Sequence, residues 1–154
     1  MLFLLFHLGS DRYAVDASQI VEILPLITIK KAVRSPPGIA GTINYRGVFV
    51  PVVDLTELAL GHPAPPRLST RVILTRCSDN DERPYLLGLV AEKATESTRY
   101  EPGDFVPSGM ANEHAPYLGP IAMGPHGLVQ RLEVNKLLSA SASRAFSEQS
   151  VQIR

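Results

Sequence analysis

The 154-residue chain has no tryptophan, one cysteine and no surplus of either charge. Each scarcity excludes something. A lone Cys77 rules out an intramolecular disulfide and is compatible with a reducing cytoplasm. The 15 Lys and Arg residues balance the 15 Asp and Glu residues, so no basic field draws in nucleic acid or anionic lipid. The same neutrality modestly favours association over repulsion. The opening apolar run, Met1 to Phe6, is too short to span a membrane. It also lacks the basic start and small-residue cleavage site of a signal peptide. The expectation is a cytoplasmic protein without membrane insertion.

Catalytic and metal-binding patterns are missing as well. His7, His62, His114 and His126 lack paired metal-ligand spacing. His7 alternates with apolar residues, as a structural strand histidine does. No glycine-rich phosphate loop precedes a helix, and Gly124-Pro125-His126-Gly127 reads as a turn. Cys77 ends an apolar strand, and no neighbouring sequence lowers its pKa. Asp54 and Glu57 suit a helix cap better than an acid/base pair. No enzyme, cofactor or metal is expected.

What is present is a globular composition, 45% hydrophobic, and one informative stretch from Pro37 to Leu60. Gly47 takes positive φ without a Cβ clash, which suits a tight hairpin at Arg46-Gly47, and Asn44 is a turn former. Val48 to Val53 is almost all β-branched or aromatic. Pro51 cannot donate to a ladder, so this strand should be an edge or carry a bulge. Asp54 and Glu57 resemble a capping box opening a helix of one or two turns.

Upstream, Leu2 to Leu8 predicts a strand, Gly9 to Arg12 a turn and Tyr13 to Val15 a return strand. Asp16 to Ile20 suits one helical turn; Val21 to Pro25 reads as a strand, although Ile20 and Ile23 would also share a helical face. Ile27 to Lys31 is expected to be extended. Lys30, Lys31 and Arg34 form a small basic cluster, either a solvated loop or a site for an acidic partner. Downstream, Gly61 to Pro66 is a proline-rich connector. Arg71 to Cys77 and Tyr85 to Ala91 read as strands around a polar loop, and the charged, mixed segment from Glu92 to Tyr100 is expected to be extended. Pro102 to Tyr117 reads as a long loop. Leu118 to Met123 and Leu128 to Leu132 form a second hairpin, and Val134 to Leu138 a short helix. From Ser139 the chain should fray, with 141–154 as a flexible tail.

The two halves look alike under a shift of 74 residues. Ala14-Val15 falls on Gly88-Leu89, Ile20 on Ala94 and Glu22 on Glu96. Later, Gly41-Thr42-Ile43 resembles Gly119-Pro120-Ile121, and Val53-Asp54-Leu55 resembles Leu132-Glu133-Val134. That alignment makes the second hairpin turn one residue longer. The reading is one domain over 1–140 with two pseudo-repeated β lobes. The approximate halves are 1–60 and 71–138, with strand exchange between lobes left open. About five strands per half suits a small barrel.

Asn44-Tyr45-Arg46-Gly47 followed by Val50-Pro51-Val52-Val53-Asp54-Leu55 resembles the signature of the CheW-like family of bacterial chemosensory coupling proteins. The resemblance extends through Phe6-His7-Leu8-Gly9, Tyr13-Ala14-Val15, Ile20 to Leu24, Gly88-Leu89-Val90 and Asn135 to Leu138, covering about residues 3 to 139. It implies a mainly β fold of two packed five-stranded, barrel-like subdomains with short helices. It also implies a non-enzymatic scaffold linking the cytoplasmic tip of a chemoreceptor to a CheA-like histidine kinase. Arg46 matches the motif arginine associated with coupling, and Asn44 and Gly47 match positions shaping that turn. Glu22 matches a position associated with partner contact. Tyr45 stands where the motif often has leucine. Gly41 joins the partner-binding set as a close-packing glycine that places the hairpin. Other readings are an adaptor of a surface-sensing or pilus pathway, and a small β-barrel ligand-binding protein or enzyme. Self-association is left open.

Overall fold

The computed structural model describes residues 1–26, 29–30, 39–109, 115–125 and 127–138. Lys31, Arg34, part of the Ile27 to Lys31 run, and the tail from Ser139 lie outside the described residues. Among the described residues, ten strands and one α-helix follow in order: β1 (Leu2–Leu8), β2 (Asp11–Asp16), β3 (Ile20–Pro25), β4 (Ile39–Tyr45), β5 (Val48–Asp54), α1 (Leu55–Leu60), β6 (Arg71–Ser78), β7 (Pro84–Arg99), β8 (Phe105–Val106), β9 (Leu118–Gly124) and β10 (Gly127–Leu132). Short 3-10 turns occupy Ala17–Gln19, Pro102–Asp104 and Val134–Lys136.

The strands pair across the sequence halves. One lobe runs β3-β6-β7-β5-β4, and the other runs β7-β1-β2-β10-β9, extended by the two-residue β8. The registers of the two lobes correspond. Ala14 faces Leu5 and Arg131, just as Gly88 faces Leu74 and Val52. Glu22 faces Leu74, and Glu96 faces Leu5. Both lobes share the sequence antiparallel, antiparallel, parallel, antiparallel along these five strands. Neither closes into a full barrel: β3 and β4 share no ladder, and neither do β7 and β9, among the described residues.

β7 belongs to both lobes. Its first part pairs with β6, and its second part pairs with β1 from Glu92 to Arg99. The register shifts between Leu5 and His7, opposite Lys93, whose φ of 50° lies in the left-handed region. A bulge of this kind bends a strand and increases its twist. The segment after Ala91 is thus part of the strand. Ala94 stays buried in that part, while Lys93 and the run from Thr95 to Ser97 are exposed.

Three apolar clusters hold the fold. Phe3, Leu5, Ala14 and Val129 fill one lobe; Ile43, Val50, Val52, Val72 and Leu74 fill the other. Between them, Leu4, Phe6, Leu8, Val15, Ile73, Leu87, Leu89 and Leu132 form a shared seam. β1 therefore buries both faces from Phe3 to Phe6, which is why that stretch reads as an unbroken apolar run rather than an alternating one. Cys77 lies in that seam. Burial pushes its thiol up to about 11, although a hydrogen bond with Thr75 acts in the opposite direction.

Some expectations change. Pro51 does not sit on an edge strand: β5 pairs with β4 on one side and β7 on the other. Pairing with β7 begins only at Val52, so the missing Pro51 N–H falls before that ladder starts. The bulge near it lies on β4, between Ile39 and Gly41. The second hairpin turn is not longer than the first. Tyr45 faces Val48 and Gly124 faces Gly127, so each loop has two residues. These registers put Ile43 opposite Val50 and Ala122 opposite Val129, which displaces the Gly41–Gly119 alignment by one residue. The first turn is also shorter than expected, because Asp11 and Arg12 already belong to β2.

Candidate functional site

The β4–β5 hairpin presents Asn44 to Gly47 at its tip. Arg46 has φ 52° and Gly47 has φ 86°, the pair of left-handed residues that a tight two-residue hairpin needs. For a non-glycine residue such a conformation costs about 1–2 kcal/mol. The Asn44 side-chain oxygen accepts the Gly47 N–H at 2.9 Å and braces the turn. Farther down, a Cβ on Gly41 would collide with the carbonyl oxygen of Lys30. Lys30 and Thr42 exchange backbone hydrogen bonds at 3.0 and 2.9 Å. Gly41 therefore seats the hairpin by close approach and lies away from the tip.

Tyr45 ties the set together. Its hydroxyl donates to Glu22 Oε2 at 2.7 Å, and the Arg46 guanidinium lies over its ring, 5.1 Å from the centroid. The bond to Glu22, followed by burial, raises the Tyr45 phenol. β3 and β4 are the end strands of their lobe and share no ladder among the described residues, so this contact ties them together. Glu22, Tyr45 and Arg46 form one connected group, with Arg46 exposed and Glu22 half-buried. Phe49 lies across the ladder from Asn44 and is 58% exposed. Exposed aromatic residues and arginine are both residue types enriched at protein interfaces. The sequence did not single out Phe49, because every neighbour from Val48 to Val53 is apolar and periodicity hides which one faces out.

A second feature is an open groove of about 460 Å³ between the lobes. Leu2, Leu4, Ile20 and Ile23 supply apolar lining; Thr95, Glu96, Ser97 and Arg71 supply polar lining. Sequence reasoning had no residues for it. The signal lay in the 74-residue shift, which relates Ile20 to Ala94 and Ile23 to Ser97, residues that meet in this groove. Among the described residues, no group of three or more His, Cys, Asp or Glu gathers as a metal site. No helix among them is long and apolar enough to cross a membrane.

The described residues thus combine interlocked β lobes, a braced arginine at a hairpin tip and an apolar groove between the lobes. A family model for the CheW-like domain matches residues 2–142, and the chain belongs to that family. The chain is 38% identical over 53 residues to Chemotaxis protein CheW of Klebsiella aerogenes, a match covering 34% of this chain and 32% of that protein. It is 27% identical over 148 residues to Protein FrzA of Myxococcus xanthus, covering 94% and 89% of the two chains. Its fold matches the crystal structure of the scaffolding protein TtCheW from Thermoanaerobacter tengcongensis, with a TM-score of 0.76 at 20% identity, over 92% of this chain and 89% of that one.

Proposed function

We propose that this protein is a non-enzymatic cytoplasmic scaffold that couples a chemoreceptor to a CheA-like histidine kinase. One lobe docks a homologous β lobe of the kinase, and the groove between lobes receives the helical cytoplasmic tip of the receptor. An amphipathic helix laid into an apolar groove is a recurrent recognition mode. A scaffold transmits a signal only if its contacts differ between the partner's two states. The observation that carries this reading is the Glu22–Tyr45–Arg46 group. A guanidinium stacked on a pinned ring is already ordered, so less side-chain entropy is lost on contact.

Calorimetry against recombinant kinase and receptor fragments encoded beside this gene tests the reading, with wild type and Arg46→Ala measured together. Saturable wild-type binding that weakens about tenfold, roughly 1.4 kcal/mol, in Arg46→Ala is the expected result. Wild-type binding without an Arg46 effect removes Arg46 from the contact. No wild-type binding to either fragment overturns the scaffold reading.

A further inference from the structure

The groove between the lobes is built from register-equivalent residues. Leu2 corresponds to Arg71, Ile20 to Ala94, and Ile23 to Ser97, and all six line it. Walls whose backbone registers match offer a helix the same strand geometry in either direction. Direction must then come from the positions where the walls differ. The largest difference in charge is Leu2 against Arg71.

Arg71 is also in an unusual condition. Its Nε–H is shielded from solvent and finds no acceptor among the described residues. That Nε–H is out of reach of a molecule in the groove, but a guanidinium can also take a carboxylate end-on, through two parallel bonds from its terminal amino groups. The other charged lining residue, Glu96, is turned to Arg12 at 4.0 Å and is itself largely exposed. Arg71 is therefore the cation whose partner the groove itself does not supply.

We propose that Arg71 reads a carboxylate on the helix occupying the groove, and so fixes the direction in which that helix lies. The occupant is an amphipathic helix whose apolar face meets Leu4, Ile20 and Ile23 and which carries Asp or Glu at the end beside Arg71. This rests on the reading of the groove as the receptor seat.

The probe is the recombinant cytoplasmic tip of the chemoreceptor encoded beside this gene, plus a series in which each of its acidic residues is changed singly to lysine. Binding to wild type, Arg71→Gln, Arg71→Glu and Ile23→Asp is measured by calorimetry, after thermal melts show that each variant folds. Arg71→Gln should bind about tenfold more weakly, and Arg71→Glu more weakly still. One lysine variant of the tip should weaken wild type yet restore Arg71→Glu. Arg71 variants that bind like wild type, while Ile23→Asp does not, overturn the Arg71 assignment and leave the groove standing. If Ile23→Asp also binds like wild type, or if wild type does not bind, the groove reading falls, and the assignment of Arg71 falls with it.

Discussion

At the scale of single residues, environment decides what a side chain does. Glu22 and Arg46 stand far apart in sequence and read there as separate contacts, yet Tyr45 bonds one and stacks under the other. Nothing in the order of residues shows that pairing, since it depends on β3 and β4, the end strands of one lobe, coming together. Cys77 was legible as inert because it ends an apolar strand; its burial in the seam explains why. Its thiol should react slowly with a disulfide reagent at pH 8 in the native protein and at the free-thiol rate in denaturant. The raised pKa also links to stability. Below the ordinary thiol value of 9.0 both states hold the proton; above it the unfolded state releases the proton first, so stability should fall as pH climbs from 9.0 towards about 11. Tyr85, also raised by burial, acts in the same direction. Chemical melts across that range, compared with Cys77→Ser, measure the Cys77 share.

Among the elements, hairpins and caps were the most legible, because their causes are local. Asp54 does cap α1: its carboxylate accepts the Glu57 N–H at 3.1 Å. The same side chain accepts the Ala64 N–H at 3.0 Å, so it also anchors the connector after the helix. Asp54→Ala should cost about 1–2 kcal/mol in urea melts, since loss of an N-cap alone costs about 1. Asp54→Asn, which keeps an accepting oxygen, should lose less. A full loss in Asp54→Asn would show that charge rather than capping geometry matters there. Elements set by long-range pairing were less legible. The second half of β7 reads as extended in the sequence, but its continuity with the first half and its pairing with β1 do not show there, because Ala94 is its one buried residue and β1 lies at the other end of the chain.

For the whole molecule, strand exchange is the controlling feature. Each lobe draws strands from both halves, and Leu4, Val15, Ile73 and Leu89 meet in one seam. The chain should therefore unfold in a single cooperative step rather than lobe by lobe. Fragments 1–70 and 71–154, expressed separately, should each lack a cooperative melt, and mixing them should restore one. Circular dichroism of the fragments alone and together checks this; a cooperative melt from either alone would contradict the interlocked architecture.

Taken without coordinates, the residues determine the mainly β class, the hairpins, the Asp54 cap, the repeated pattern and the resemblance carried by Asn44 to Leu55. All of these rest on side-chain type and short spacing. Tertiary structure decided which strands pair, where β7 bends, which face of each strand is buried, and that Arg71 meets Ile23 at a groove. Those outcomes depend on contacts between residues distant in the chain, and a β pattern of period two is equally compatible with many such pairings.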